Sequence, residues 1–181
     1  MISMFLADGF EETEALVTLD MMRRAGIDVK TVGIGSNEPV GAHGIIVKAD
    51  VSSEEFSSDG CEGIILPGGM PGTENLYNSR TVISALEYCM KKSLLVAAIC
   101  AAPIIPGRMG FLKNKKAVCF PGFENELLGV DVADMLCVKD GNIITAKGAG
   151  CVFEFSHSII STLRNSTVAD KIIHDIQHKG L

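Results

Sequence analysis

Apolar residues along this chain alternate between two kinds of run. Short, almost unbroken stretches read as buried strands: "ISMFLA" (2–7), "DVKTVGI" (28–34), "GIILPGG" (63–69), "LLVAAI" (94–99) and "KAVCF" (116–120). Between them lie segments with helical spacing. In "EETEALVTLDMMRRAG" (11–26), Ala15, Leu16, Leu19, Met22 and Ala25 share one face, and Gly26 is a natural stop. "RTVISALEYCMKK" (80–92), "CVFEFSHSIISTLRN" (151–165) and "TVADKIIHDIQHKG" (167–180) read as further helices. "IIVKADV" (45–51) reads as an edge strand or hairpin. "DMLCVKDGNIITAK" (134–147) reads as two strands around Asp140-Gly141, a strong hairpin signal. Strand–helix alternation at these lengths predicts a mostly parallel sheet with helices on both faces. With no internal repeat or linker, one domain over residues 1–181 is expected.

Composition narrows the classes of partner. A net charge of −6, with no basic cluster larger than "KNKK" (113–116), argues against nucleic acid. The longest apolar stretch, "LLVAAICAAPIIP", contains two prolines and is too short to span a bilayer, so no membrane partner is expected. The N-terminal run has no basic lead and does not read as a signal peptide, which makes a cytoplasmic location the expectation. The six cysteines show no CxxC and no Cys/His metal spacing. They read as reduced thiols, and neither a metal nor a cofactor is implied.

Four features fall at the carboxyl ends of predicted strands, where open parallel sheets bind ligands. They are "DGFEETE", "PGGMPGT", "CAAP" and "GAG". Cys100 sits where a buried strand gives way to a helix start, as in a nucleophile elbow, and a helix N-terminus favours the thiolate. The segment alone leaves a structural cysteine equally open. Of three carboxylates in "EETE", Glu11 and Glu12 read as plain partners of the helix dipole. Glu14 is the candidate acid, sharing a proton with Cys100. The small residues Gly68, Gly69 and Ala101 allow backbone N–H groups to form an oxyanion hole. His43, in glycine-rich "GAHG", lies within reach of a site or a partner subunit. His157 reads as packed or surface, and His174 and His178 as solvated.

"DGFEETE", "ILPGG", "AAICAAP", "CFPGFE" and "GAG…FEF" resemble, in order and spacing, the ThiJ/PfpI/DJ-one family over nearly the whole chain. The resemblance implies a three-layer, flavodoxin-like α/β sandwich related to class I glutamine amidotransferases, and a homodimer. It also implies Cys100 as the reactive cysteine, Glu14 as its hydrogen-bonding acid, and Gly68, Gly69 and Ala101 as the lining of the anion pocket. Three positions depart from the family pattern. Ala101 stands where the protease-type branch has the His of "CHGP", which argues against peptidase activity. Phe120 stands where the deglycase branch has a His, and His43-Gly44 stand where that branch has an Arg. His43, Phe120 and Gly150 are the expected substrate-pocket residues. The function so implied is a cofactor-free, cysteine-dependent glyoxalase or deglycase acting on small reactive aldehydes such as methylglyoxal. The alternative is an oxidative-stress sensor or protective protein that uses an oxidisable cysteine.

Overall fold

The computed structural model describes residues 1–180. In chain order its elements are β1 (Ile2–Ala7), α1 (Glu12–Arg24), β2 (Val29–Ile34), β3 (Val51–Ser52), β4 (Gly63–Leu66), α2 (Gly72–Tyr77), α3 (Arg80–Lys91) and β5 (Leu95–Ile99). There follow α4 (Ile104–Arg108), β6 (Lys116–Ala117), β7 (Asp131–Val132), β8 (Cys137–Asp140), β9 (Ile143–Ala146), α5 (Val152–Leu163) and α6 (Ser166–Asp175). Seven strands form one sheet in the order β3-β2-β1-β4-β5-β9-β8, and only β8 runs antiparallel to its neighbour. This is the flavodoxin-like α/β sandwich of the class I glutamine amidotransferase type.

Two-residue alternation along the strands divides the core into two layers. In β1, Met4 and Leu6 face the layer built with α1, α5 and α6. Phe5 and Ala7 face the layer built with α2, α3 and α4. β5 divides likewise, with Ala97 and Ile99 on the first side and Val96 and Ala98 on the second. Both faces are covered, which explains why these strands read as continuous apolar runs.

Several elements differ from the sequence expectation. "KAVCF" gives only the two residues of β6, which leave the main sheet to pair with β7. The 45–51 run, by contrast, supplies both forms expected of it: Ile46 bridges Val40 in a small antiparallel hairpin, and Val51 opens the edge strand β3. The turn between β8 and β9 is Gly141-Asn142, one residue later than expected, because Asp140 is still paired with Ile143. α2 is six residues of weak helical pattern that the sequence did not announce. No helix among the described residues is long and apolar enough to cross a membrane.

Candidate active site at the end of the fifth strand

Cys100 follows β5 directly, with a left-handed backbone φ of 65°. That conformation costs an L-residue with a Cβ about 1–2 kcal/mol, and such outliers gather at functional turns. Its backbone is tied on both sides. The Cys100 N–H donates to the Ala146 carbonyl at the end of β9 (2.9 Å), and its carbonyl accepts from Phe120 N–H (2.8 Å). The side chain therefore stands at the sheet's carboxyl edge, only partly buried.

Glu14 reaches the same point from the opposite loop. The β1–α1 turn is capped by Glu11, whose carboxylate accepts the Glu14 N–H at 2.7 Å. This puts Glu14 in the first turn of α1, 1% exposed. Its Oε2 accepts the Gly68 N–H at 2.9 Å, while the buried Oε1 has no N–H or O–H partner. Cys100 and the Ala149 backbone lie close enough to this carboxyl to draw its pKa down. Burial pushes the Glu14 carboxyl up to about 7, against the pull of Cys100 and Gly68. The Cys100 thiol is pushed up to about 12, by burial first and then by the charge and hydrogen bond of Glu14. The backbones of Ala101 and Gly69 favour the thiolate and pull it partly back.

This is the reverse of the thiolate expected from a helix N-terminus. The physical reason is local. Residues 100–103 are turn, and α4 begins at Ile104 and lasts five residues. The helix that follows Cys100 in the chain is too short to act as a strong dipole, and the charge that acts on the sulfur is the Glu14 carboxylate. The pair thus gives up one proton near 7 and the second near 12.

The three small residues expected to form an oxyanion hole divide their roles. Gly69 and Ala101 direct N–H groups at the sulfur, whereas Gly68 directs its own at Glu14. Both glycines are required by close approach. A Cβ on Gly68 would lie 2.6 Å from the Cys100 Cβ and 2.7 Å from Glu14 Oε2. One on Gly69, at φ 91°, would lie 2.5 Å from the Glu11 nitrogen. Phe120 and Gly150 do line a cleft here, of about 390 Å³. His43 is held elsewhere: its exposed ring bonds Glu12 through Nδ1 at 2.8 Å. His157 pairs with Asp170, and His178 stacks on Phe153.

Glu12 is the residue whose role the sequence reading understated. Its buried carboxylate accepts N–H groups from His43 (2.7 Å) and Ile45 (3.4 Å), so it pins the 40–47 hairpin across the chain. Burial alone would raise Glu12, but the ring and N–H of His43 hold it below the usual carboxylate range. Glu11, Glu12 and His43 are the one triplet among the described residues with ligand atoms within 4.8 Å of each other. Their carboxylates already serve the N–H groups of Glu14, His43 and Ile45.

Comparison with known proteins agrees with this geometry. Residues 1–162 match the model of the DJ-1/PfpI family. The Parkinson disease protein 7 homolog of Danio rerio is 34% identical over 172 residues, covering 92% of this chain and 91% of that protein. A deglycase of Pyrococcus abyssi is 26% identical over 160 residues, covering 87% and 96%. The crystal structure of Drosophila melanogaster DJ-1beta superposes with a TM-score of 0.94 at 30% identity, covering 99% of this chain and 98% of that one.

Proposed function

This chain belongs to the DJ-1/PfpI family, and from that premise we propose that it is a cysteine-dependent, cofactor-free glyoxalase or deglycase acting on small reactive aldehydes, with Cys100 as nucleophile and Glu14 as its acid–base partner. The observation that carries the reading is the Cys100–Glu14 pair itself. A thiol at a strained strand end stands against a buried carboxyl poised near 7, close enough that a Cβ added at Gly68 would meet both. That is the range in which one group both takes and returns protons at neutral pH.

With methylglyoxal the steps balance as follows. Glu14 carboxylate accepts the Cys100 proton as sulfur bonds to the aldehyde carbon, and the carbonyl oxygen takes up the electron pair. The Gly69 and Ala101 N–H groups, already directed at the sulfur, are placed to stabilise that oxygen. Glu14 returns the proton to it, giving a hemithioacetal. Glu14 then removes the hydrogen on the former aldehyde carbon as a proton and delivers it to the neighbouring carbonyl carbon through an enediol, while the hydroxyl proton of the first carbon passes to the neighbouring oxygen. The result is a thioester of a 2-hydroxy acid. Water cleaves it to lactate and restores the thiol. One carbon is oxidised and its neighbour reduced, so water is the only co-reactant.

Wild type and Cys100→Ala are to be compared with methylglyoxal, following D- and L-lactate. Lactate from wild type alone supports the reading, and equal, negligible turnover by both overturns it.

A second reading, an oxidisable sensor, is favoured by the two N–H groups around the sulfur, which would also hold a sulfinate. Mild peroxide followed by peptide mass mapping tests it. Preferential oxidation at buried Cys61 or Cys89 would count against it. The six unpaired cysteines fit a reducing, cytoplasmic setting. We further propose a homodimer. The hairpin exposes Val40, Ile45 and Ile46, and a cleft of about 390 Å³ opens between Leu16, Val17, Met21, Phe153 and Ile176, flanked by Asp20 and Arg24. Light scattering should give twice the chain mass, reduced to one by Ile46→Asp.

A further inference from the structure

We propose that Cys151 is a positioning residue for the Cys100–Glu14 pair: its buried thiol fixes the turn from Gly148 to Cys151 and so keeps the Ala149 backbone against the Glu14 carboxyl. This rests on the reading of Cys100 and Glu14 as nucleophile and proton carrier, and adds to it a residue that acts through Glu14.

The Cys151 thiol is bonded rather than merely packed. It is 2% exposed and stands at the end of the short turn between β9 and α5. Its Sγ accepts the Gly148 N–H at 3.3 Å, and its S–H has two carbonyls within reach, Gly148 at 3.0 Å and Leu136 at 3.2 Å. The Cys151 N–H also closes on the Gly148 carbonyl at 2.9 Å. Burial pushes the thiol up, so it stays protonated and keeps a proton to donate. The Leu136 carbonyl takes the Lys147 N–H as well, at 2.9 Å. The start of β8, the end of β9 and the head of α5 therefore meet at this one sulfur. A cysteine serving only as a small hydrophobe would need none of these contacts.

The turn so held passes beside the reacting pair. The Ala146 carbonyl takes the Cys100 N–H at 2.9 Å, and three residues later the Ala149 backbone lies close enough to Glu14 to favour its charged form. The titratable groups facing Glu14 are Glu11 from its own helix cap, Cys100 from the end of β5 and Cys151 from the head of α5. None of these is a cation. The carboxylate is favoured instead by the Cys100 thiol and by the backbones of Gly68 and Ala149. Gly68 is fixed by its place after β4 and by the Glu11 N–H on its carbonyl at 2.9 Å. It serves Oε2, while the buried Oε1 has no full hydrogen bond. Movement of the Ala149 backbone therefore changes how well the charge is held, and the bonds of Cys151 govern that movement.

The test compares wild type with Cys151→Ala, Cys151→Val and Cys151→Ser. Glutamate is labelled with ¹³C at the side-chain carboxyl, and the Glu14 signal is assigned by its loss in Glu14→Gln. Its inflection, at about 7 in wild type, should rise by roughly half to one pH unit in the Ala and Val variants, the scale of weakening one hydrogen bond to a charged group. Serine both accepts and donates, so Cys151→Ser should keep the wild-type inflection. Amide exchange at Ala149 should be faster in the Ala and Val variants and unchanged in Cys151→Ser. With methylglyoxal, kcat at pH 7 should drop by about threefold in the Ala and Val variants and recover by pH 9, as for a base that is merely protonated. An inflection that stays in place in the Ala and Val variants, or moves as far in Cys151→Ser, overturns the positioning role. Alanine leaves space at the turn and valine fills it, so loss of the fold in one leaves the other to decide. No lactate from wild type, with the inflection shifted as stated, overturns the aldehyde reading and leaves the role of Cys151 standing.

Discussion

Replacing Glu14 with Gln should accelerate alkylation of Cys100 while slowing aldehyde turnover. Glutamine keeps the size of the side chain and an acceptor for the Gly68 N–H, but removes the negative charge beside the sulfur. Two unit charges roughly 4 Å apart interact by about 4 kcal/mol at an effective dielectric of ~20, equivalent to about three pH units at 1.36 kcal/mol each. Burial is the larger cause of the raised thiol and is unaffected by the substitution. The inflection, now at about 12, should therefore fall by about one to two pH units. Each unit multiplies the thiolate fraction about tenfold, while lower basicity costs about threefold in nucleophilicity. The net gain at neutral pH is about three- to tenfold in the rate of iodoacetamide alkylation. Turnover of methylglyoxal should meanwhile drop by about 10²–10⁴-fold, because the base is lost. The assay is the second-order alkylation rate from pH 6 to 11, with the Cys100 adduct read by mass. A slower reaction, or an inflection that moves upward, would refute the charge argument and assign the proton of the pair to Glu14 and the charge to sulfur.

The same substitution has a stability signature. Glu14 binds its proton more tightly in the fold, at about 7, than in the unfolded chain, at 4.5. The wild type therefore loses stability as pH rises through that window, by about 3 kcal/mol. Glu14→Gln should melt several degrees higher than wild type at pH 8 and show no such gain at pH 4.5, as thermal scans would reveal. Gly68→Ala should cost about 1–3 kcal/mol by overpacking and abolish turnover, since the new methyl would meet Cys100, Glu14 and the Ile99 carbonyl within 2.8 Å; denaturant melts and the lactate assay check both. Glu12→Ala should release the 40–47 hairpin, leaving the His43 and Ile45 N–H groups without their acceptor. Faster amide exchange at these two residues, with little change at β5, is the expected result.

Much of the fold was legible because a doubly covered parallel sheet writes itself as apolar runs. β1, α1, β2, α3, β5, α5 and α6 all lie where the pattern put them, within two residues except for α6, whose last turns end earlier. The 45–51 run gave both the hairpin and the edge strand it suggested, whereas β6 carries strand-like residues whose pairing depends on the distant Asp131–Val132. Cys100, Glu14 and Gly69 came from their places at strand ends, a topological rule that sequence spacing can apply. The proton balance of the pair did not, because it follows from burial and from which N–H groups reach which atom. Likewise, nothing in "EETE" separates Glu12 from Glu11. Only the return of the chain at His43 and Ile45 gives Glu12 its work.

The nucleophile and its proton carrier hang from the ends of the main sheet, through β5, β4 and the start of α1. Phe120 and Leu136 stand instead on the excursion between β5 and β8 that carries the separate β6–β7 pair. The proposed reacting pair and the Phe120–Leu136 cleft thus occupy different stretches of chain, joined by the bond between Phe120 N–H and the Cys100 carbonyl. Side-chain changes on the excursion leave that backbone bond in place, so they reach the cleft without touching the pair. A library randomised at Phe120 and Leu136 alone should yield new aldehyde preferences on an unchanged catalytic frame.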